Sequence, residues 1–228
     1  MARLPFVDTH VHFWNLKHPT LRWVWLDRDW VHPLLGDIDG LKTLRYAASE
    51  YAAETRFQNV TKAIHVQAAL GSPDPVDETI WLEQMADETG LPTAIIAEAW
   101  LAKPGIEEQL ERHAAFPRVR GIRDFGEGEY LEDSAWRRGY GLLARHNFIC
   151  CLDSDPDRYA KARALAETYP DVTLCLDHAG VPQRRDGDYF ARWRRELPGW
   201  WDSSCCFRAR KRCRRPSRWR RGCRTYGR

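Results

Sequence analysis

The chain has 228 residues, 43 % of them hydrophobic and 29 % charged, with 11 tryptophans and a formal net charge of +3. That composition excludes a disordered polypeptide, and no apolar run is long enough to span a bilayer. The positive charge is concentrated in residues 201–228, where ten Arg and Lys211 face Asp202 alone; the preceding 200 residues are net acidic and carry no nucleic-acid-binding motif.

The sequence opens with Phe6 and Val7 in a short apolar run, with no charged segment leading into an apolar stretch and cleavage site, so a cytoplasmic location is expected. Six such runs recur, at about 6–12, 62–69, 93–100, 119–125, 147–153 and 172–177, each followed by a segment of helical periodicity. Their continuous apolar character predicts buried parallel strands. Leu41, Leu44, Ala48 and Tyr51 predict one apolar face of a first helix, and Tyr159, Ala162, Ala166 and Tyr169 repeat that spacing later. Asp133 or Ser134 and Asp155-Pro156 are candidate helix starts, and Gly90-Leu91-Pro92 is a candidate stop.

Alternating units of this kind give an α/β fold, and the polar residues choose between an open doubly wound sheet and a barrel. His10 and His12, His65 and Gln67, Arg123 and Asp124, and Asp177 and His178 all sit at strand ends, whereas no Gly-rich phosphate loop follows the first strand. The expected fold is a truncated (β/α)8 TIM-like barrel of about six units over residues 1–198, followed by an irregular basic tail at 199–228.

His10 and His12 are spaced two apart, so on a strand both project to one face. Paired imidazoles can polarise a carbonyl or hold a metal; the alternative is two polar strand residues facing solvent. His178, at another strand end, supplies a converging group. Arg123 offers a planar fork for a carboxylate, or else forms an ion pair with Asp124 or Glu127. Gln67 hydrogen-bonds substrate or backbone, and His65 reads as a core histidine. Cys150 and Cys151 read as small buried hydrophobes. The long connection bearing Trp14, Trp23, Trp25, Trp30, His18 and His32 reads as a lid that stacks on substrate or as an aromatic plug.

Four segments, Asp8-Thr9-His10-Val11-His12-Phe13-Trp14, Val66-Gln67-Ala68, Gly121-Ile122-Arg123 and Leu176-Asp177-His178-Ala179-Gly180-Val181-Pro182, resemble in order and spacing the amidohydrolase superfamily, in its sugar-lactonase and pyrone-dicarboxylate-lactonase branch. The resemblance implies a hydrolase of lactones in carbohydrate or aromatic catabolism, with a small-molecule lactone as partner. It places His10, His12 and His178 at the carbonyl as catalytic residues and Arg123, Gln67 and Trp14 as substrate contacts. Neither the fourth-strand lysine nor the fifth-strand histidine of the metal-loaded members is present, so no cofactor is expected. The alternative is one zinc ion near His10 and His12, in a zinc-dependent hydrolase or decarboxylase of the same superfamily.

The sequence departs from the family after Leu197. The Lys-x-Ser-Gly-like and Asp-Trp-Pro-like segments expected there, the second with the acid that activates water, give way to Arg, Cys, Ser, Gly and Trp. Four of the seven cysteines lie in this stretch, without His-Cys zinc spacing. A shifted reading frame is its expected origin, with an impaired enzyme as the consequence. The competing expectation is a non-enzymatic protein whose arginine-rich arm binds nucleic acid, with Trp219 stacking on a base.

Overall fold

The computed structural model describes residues 4–32, 35–126, 128–197 and the backbone of the strand Cys206–Phe207. Six strands, β1 (Phe6–Val11), β4 (Val60–Val66), β5 (Ala94–Glu98), β6 (Val119–Arg123), β7 (Ile149–Leu152) and β8 (Leu174–Leu176), pair in parallel in chain order. They form a curled α/β half-barrel with helices on its outer face. The strands stand where the apolar runs place them, since parallel strands flanked by helices need apolar side chains on both faces. No helix among the described residues is long and apolar enough to cross a membrane.

Period-two alternation divides the sheet residues between two environments. Ala63, Ile95, Ala97, Ile122, Cys150, Leu152 and Leu174 join the main core beneath the helices. Ile64, Val66, Ile96, Ile149, Cys151 and Cys175 form a separate cluster on the concave inner face. Removing each core aliphatic chain from water contributes about 1.5–3 kcal/mol, so this outer layer holds the sheet in shape.

Helices α2 (Val76–Thr89), α3 (Ile106–Ala114), α4 (Ser134–Leu142), α5 (Tyr159–Thr168) and α6 (Gly187–Glu196) follow the strands. Gly90 ends α2 at φ 79°, a left-handed cap that glycine adopts without strain. Asp133 starts α4, its side chain accepting from Trp136 N at 2.7 Å. Tyr159, Ala162 and Ala166 are the buried face of α5, as their spacing predicts. That helix begins at Tyr159, three residues beyond Pro156.

The first helix differs from its prediction. α1 spans Ala48–Thr55 only, and Leu41 and Leu44 are exposed before it. Arg45–Tyr46 (β3) instead pairs antiparallel with Trp14–Asn15 (β2), and Tyr46 stacks on Trp14 at 5.0 Å. Aromatic packing that closes the long connection outcompetes the helical periodicity there. The tail also differs at one point from the expected irregular chain: Cys206–Phe207 (β9) adds antiparallel to β8. The remainder of the 199–228 segment, its proposed frame origin and its arginine-rich arm lie outside the described residues.

Candidate active site

β1 delivers His10 and His12 to the mouth of the half-barrel. Their ring centroids lie 4.9 Å apart, and His178, arriving from the end of β8, lies 4.6 Å from His10. His12 Nδ1 is 2.8 Å from the carbonyl oxygen of Val66. A carbonyl only accepts, so Nδ1 carries the hydrogen and Nε2 keeps its lone pair. His10 Nε2 is buried without a protein partner, and so are both ends of the Gln67 amide. Buried polar atoms without partners are rare, which makes these three candidates for contact with a substrate.

Burial, with the Arg123 and His178 charges added, lowers the His10 pKa to about 4. Burial also holds His12 well below the ordinary imidazole value, helped by His65 and His10. Both rings are therefore neutral near pH 7.

Arg123, at the end of β6, is buried. Its Nη2 donates to Asp153 Oδ2 at 2.5 Å, and its Nε lies 3.2 Å from Asp177 Oδ2. The acids facing it are thus Asp153 and Asp177; Asp124 instead accepts from Leu101 N and Trp136 Nε1, and Glu127 lies outside the described residues. Arg123 Nη2 also stands 3.5 Å from His178 Nε2, and Asp153 Oδ1 lies 3.9 Å from that nitrogen. Arg123, Asp153, Asp177 and His178 form one polar network drawn from three neighbouring strands.

The turn that presents His178 is strained. His178, Ala179, Gly180 and Val181 have φ of 49°, 52°, 75° and 41°, a left-handed run that costs energy at the three non-glycine residues. Two helices hold it: Tyr159 Oη donates to Gly180 O at 2.8 Å, and Trp193 Nε1 donates to Ala179 O at 2.8 Å. A side chain at Gly180 would meet Tyr159 Oη at 1.7 Å.

Trp14 is buried against Tyr46, with Nε1 donating to Thr43 O at 2.9 Å, and its ring lies 5.8 Å from that of Trp25. Trp25 is the tryptophan beside the site, 5.9 Å from His12, its Nε1 donating to Ala68 O at 2.8 Å. His65 lies in the core, where its Nδ1 accepts from Phe13 N and its Nε2 meets Glu78 Oε1 at 3.2 Å. Glu78 also accepts from Ala68 N and Ala69 N, which fixes the chain beyond β4 that carries Gln67.

A cavity of about 770 Å³ opens beside the ends of β5 and β6, lined by Glu98, Trp100, Phe125 and Tyr130 among others. Burial, reinforced by the Glu78 charge, pushes the Glu98 carboxyl up to about 8. The sequence pattern places Asp177 at a strand end and Trp25 in the aromatic connection, but gives no role to Asp153 or Glu98. For Asp153 the available signal is its position at the end of the run 147–153.

The sequence model of the amidohydrolase family matches residues 7–220. The chain belongs to the amidohydrolase family. Protein y4mH of Sinorhizobium fredii, described as uncharacterized, is 29 % identical over 211 residues, covering 86 % of this amidohydrolase and 69 % of that protein. An amidohydrolase from Burkholderia multivorans, solved with bound zinc, is similar in fold, with 24 % identity and a TM-score of 0.64 over 85 % of this chain. A probable 2-pyrone-4,6-dicarboxylic acid hydrolase from Acinetobacter baumannii, solved with citric acid, is similar at 13 % identity and a TM-score of 0.54, covering 78 % of this chain and 59 % of its own. This chain spans 65 % of the length of the Burkholderia structure.

Zinc prefers four ligands, three from protein where the site is catalytic. His10 and His12 offer two. Among the described residues no third His, Cys, Asp or Glu atom converges on them closely enough to complete a set; the group that does converge is Cys151, Cys175 and Asp177. The histidine pair therefore does not make up a zinc site from the described residues.

Proposed function

We propose that this amidohydrolase opens a lactone, of a polyhydroxylated sugar or of a pyrone dicarboxylate, by adding water to the ester carbonyl. The carrying observation is the cluster of uncharged His10 and His12 beside His178, in which His10 Nε2 is buried without a protein partner.

In this reading His10, as the Nε2–H tautomer, donates to the carbonyl oxygen and to the oxyanion that replaces it. His12 Nε2, the lone-pair nitrogen left by the bond to Val66, accepts the proton of the attacking water. The tetrahedral species collapses by breaking the ring C–O bond, and the departing oxygen takes the proton back from His12 to give a hydroxy acid. Gln67 binds a hydroxyl or carboxylate of substrate, and Trp25 shields the site from bulk water. Arg123, already paired with Asp153 and Asp177, orients His178 more than it anchors an anion.

The test is hydrolysis of a panel of aldonolactones and pyrone dicarboxylate, followed with a pH indicator, by the full chain and by His12→Asn. Turnover that falls about 10²–10⁴-fold in the variant supports the reading. Equal rates, or no turnover of any member, reject it.

A second reading, a zinc-dependent hydrolase or decarboxylase, is favoured by one feature. A backbone carbonyl anchors His12 Nδ1–H and frees Nε2, as it does for metal-bound histidines. Activity lost to a chelator and restored by zinc would support it.

A further inference from the structure

Below the histidine layer, the inner face of the sheet carries a second chemical group. Cys151 on β7 and Cys175 on β8 are in register as direct neighbours, and Asp177 follows two residues beyond Cys175 on the same face. One ligand atom from each, two sulfurs and a carboxylate oxygen, all lie within 4.8 Å of one another. We propose that Cys151, Cys175 and Asp177 bind one thiophilic divalent metal ion of the zinc class, beneath Arg123.

Three observations carry this. The spacing is close to what a tetrahedral ion needs: a metal–sulfur bond of about 2.3 Å sets neighbouring ligand atoms roughly 3.5–3.8 Å apart, within reach of small side-chain rotations. Asp177 is more than nine-tenths buried; its carboxylate meets the Cys151 thiol and an Arg123 Nε that lies 3.2 Å from Oδ2 without hydrogen-bond geometry. A buried carboxylate held only by a weak thiol donor and a poorly aligned guanidinium is incompletely satisfied, and a cation bound between it and the sulfurs completes it. The charges also suit a cation: two thiolates, Asp177 and Asp153 outnumber the Arg123 guanidinium, and a divalent ion offsets most of the excess.

The two thiols select the metal. Calcium and magnesium take oxygen ligands, whereas sulfur favours zinc and its soft relatives. Binding displaces both thiol protons to solvent and forms two metal–sulfur bonds and one metal–oxygen bond, with no change of oxidation state. The ion would staple β7 to β8 and fix Asp177, which holds Arg123 and directly precedes His178.

The test is a cobalt(II) titration of the reduced, metal-free full chain in which Cys205, Cys206, Cys213 and Cys223 are replaced by Ser, so that tail sulfurs contribute nothing. The expected result is a near-ultraviolet thiolate-to-cobalt band that saturates at one ion per chain and is displaced by zinc. Cys175→Ser should reduce the band and weaken affinity by at least the ~10–100-fold that loss of even an outer supporting partner costs. Asp177→Asn should weaken affinity and keep the band. His10→Asn and His12→Asn should leave both unchanged, which separates this site from a metal at the histidine pair. Absence of the band, or a band that Cys175→Ser does not alter, overturns the proposal. Should Cys175→Ser fail to fold by circular dichroism, the unsubstituted pair decides: zinc must protect Cys151 and Cys175 from alkylation as mapped on peptides, and equal labelling with and without zinc overturns the site.

Discussion

Replacing Glu98 by Gln should stabilise this protein in a pH-dependent way. Glu98 is about nine-tenths buried and accepts from Trp100 Nε1 at 3.2 Å. Burial, together with the nearby Glu78 charge, raises its pKa from 4.5 to about 8. The unfolded chain releases this proton near pH 4.5, whereas the folded chain keeps it to about pH 8. The stability linked to Glu98 is therefore fully present below pH 4.5 and is lost as pH rises toward 8. The ceiling on that loss is about 4–5 kcal/mol, at ~1.4 kcal/mol per pH unit. Water penetration and relaxation, at an effective dielectric near 20, reduce it to about 1–2 kcal/mol. Gln keeps an oxygen for Trp100 and has no proton to lose. Thermal unfolding of wild type and Glu98→Gln at pH 5 and pH 8 measures the effect: the variant should melt about 2–8 °C higher at pH 8 and within about 1 °C of wild type at pH 5. A shift of equal size at both pH values would refute the linkage and assign the change to packing alone.

Acid should destabilise the fold between pH 6.5 and about 4. His10 and the core residue His113 both have pKa values lowered to about 4, so the unfolded state binds more protons across that window; each contributes at most about 2 kcal/mol between pH 7 and pH 5, read as the fall in urea midpoint in the Glu98→Gln background, which removes the opposing Glu98 linkage. Asp133→Ala, which removes the cap on Trp136 N, should cost about 1 kcal/mol in the same assay. Gly180→Ala forces a methyl onto Tyr159 Oη at a φ of 75° and should cost about 2–4 kcal/mol, with loss of any turnover that depends on His178. Glu78→Gln removes the charge that accepts from Ala68 N, Ala69 N and His65, and should cost about 1.5–3 kcal/mol.

What the sequence made legible follows from which interactions are periodic. Strand positions were readable because parallel strands are apolar on both faces, and the convergence of His10 and His12 because a period of two is a property of any strand. His178 was readable as a third strand-end group. The first helix was misplaced because Leu41 and Leu44 fit a helical period, while the stacking of Tyr46 on Trp14 joins positions 32 residues apart that no local pattern relates. The same limit explains Arg123. Sequence reasoning looked for its acid among neighbours such as Asp124, whereas Asp153 and Asp177 come from the next two strands and meet it only through sheet order.

The cysteine pair shows where the boundary falls. Cys150 and Cys151 read alike in sequence, as two small apolar residues on one strand. Alternation alone sends them to opposite faces, and Cys150 indeed packs under the helices while Cys151 turns inward. No periodicity in residues 147–153 could say that Cys175 lies beside Cys151; this needs the register of β7 against β8. Strand order converts a residue that looked inert into one half of a dithiol facing a buried carboxylate. Chemistry that depends on register is thus invisible one strand at a time, even where every strand is correctly located.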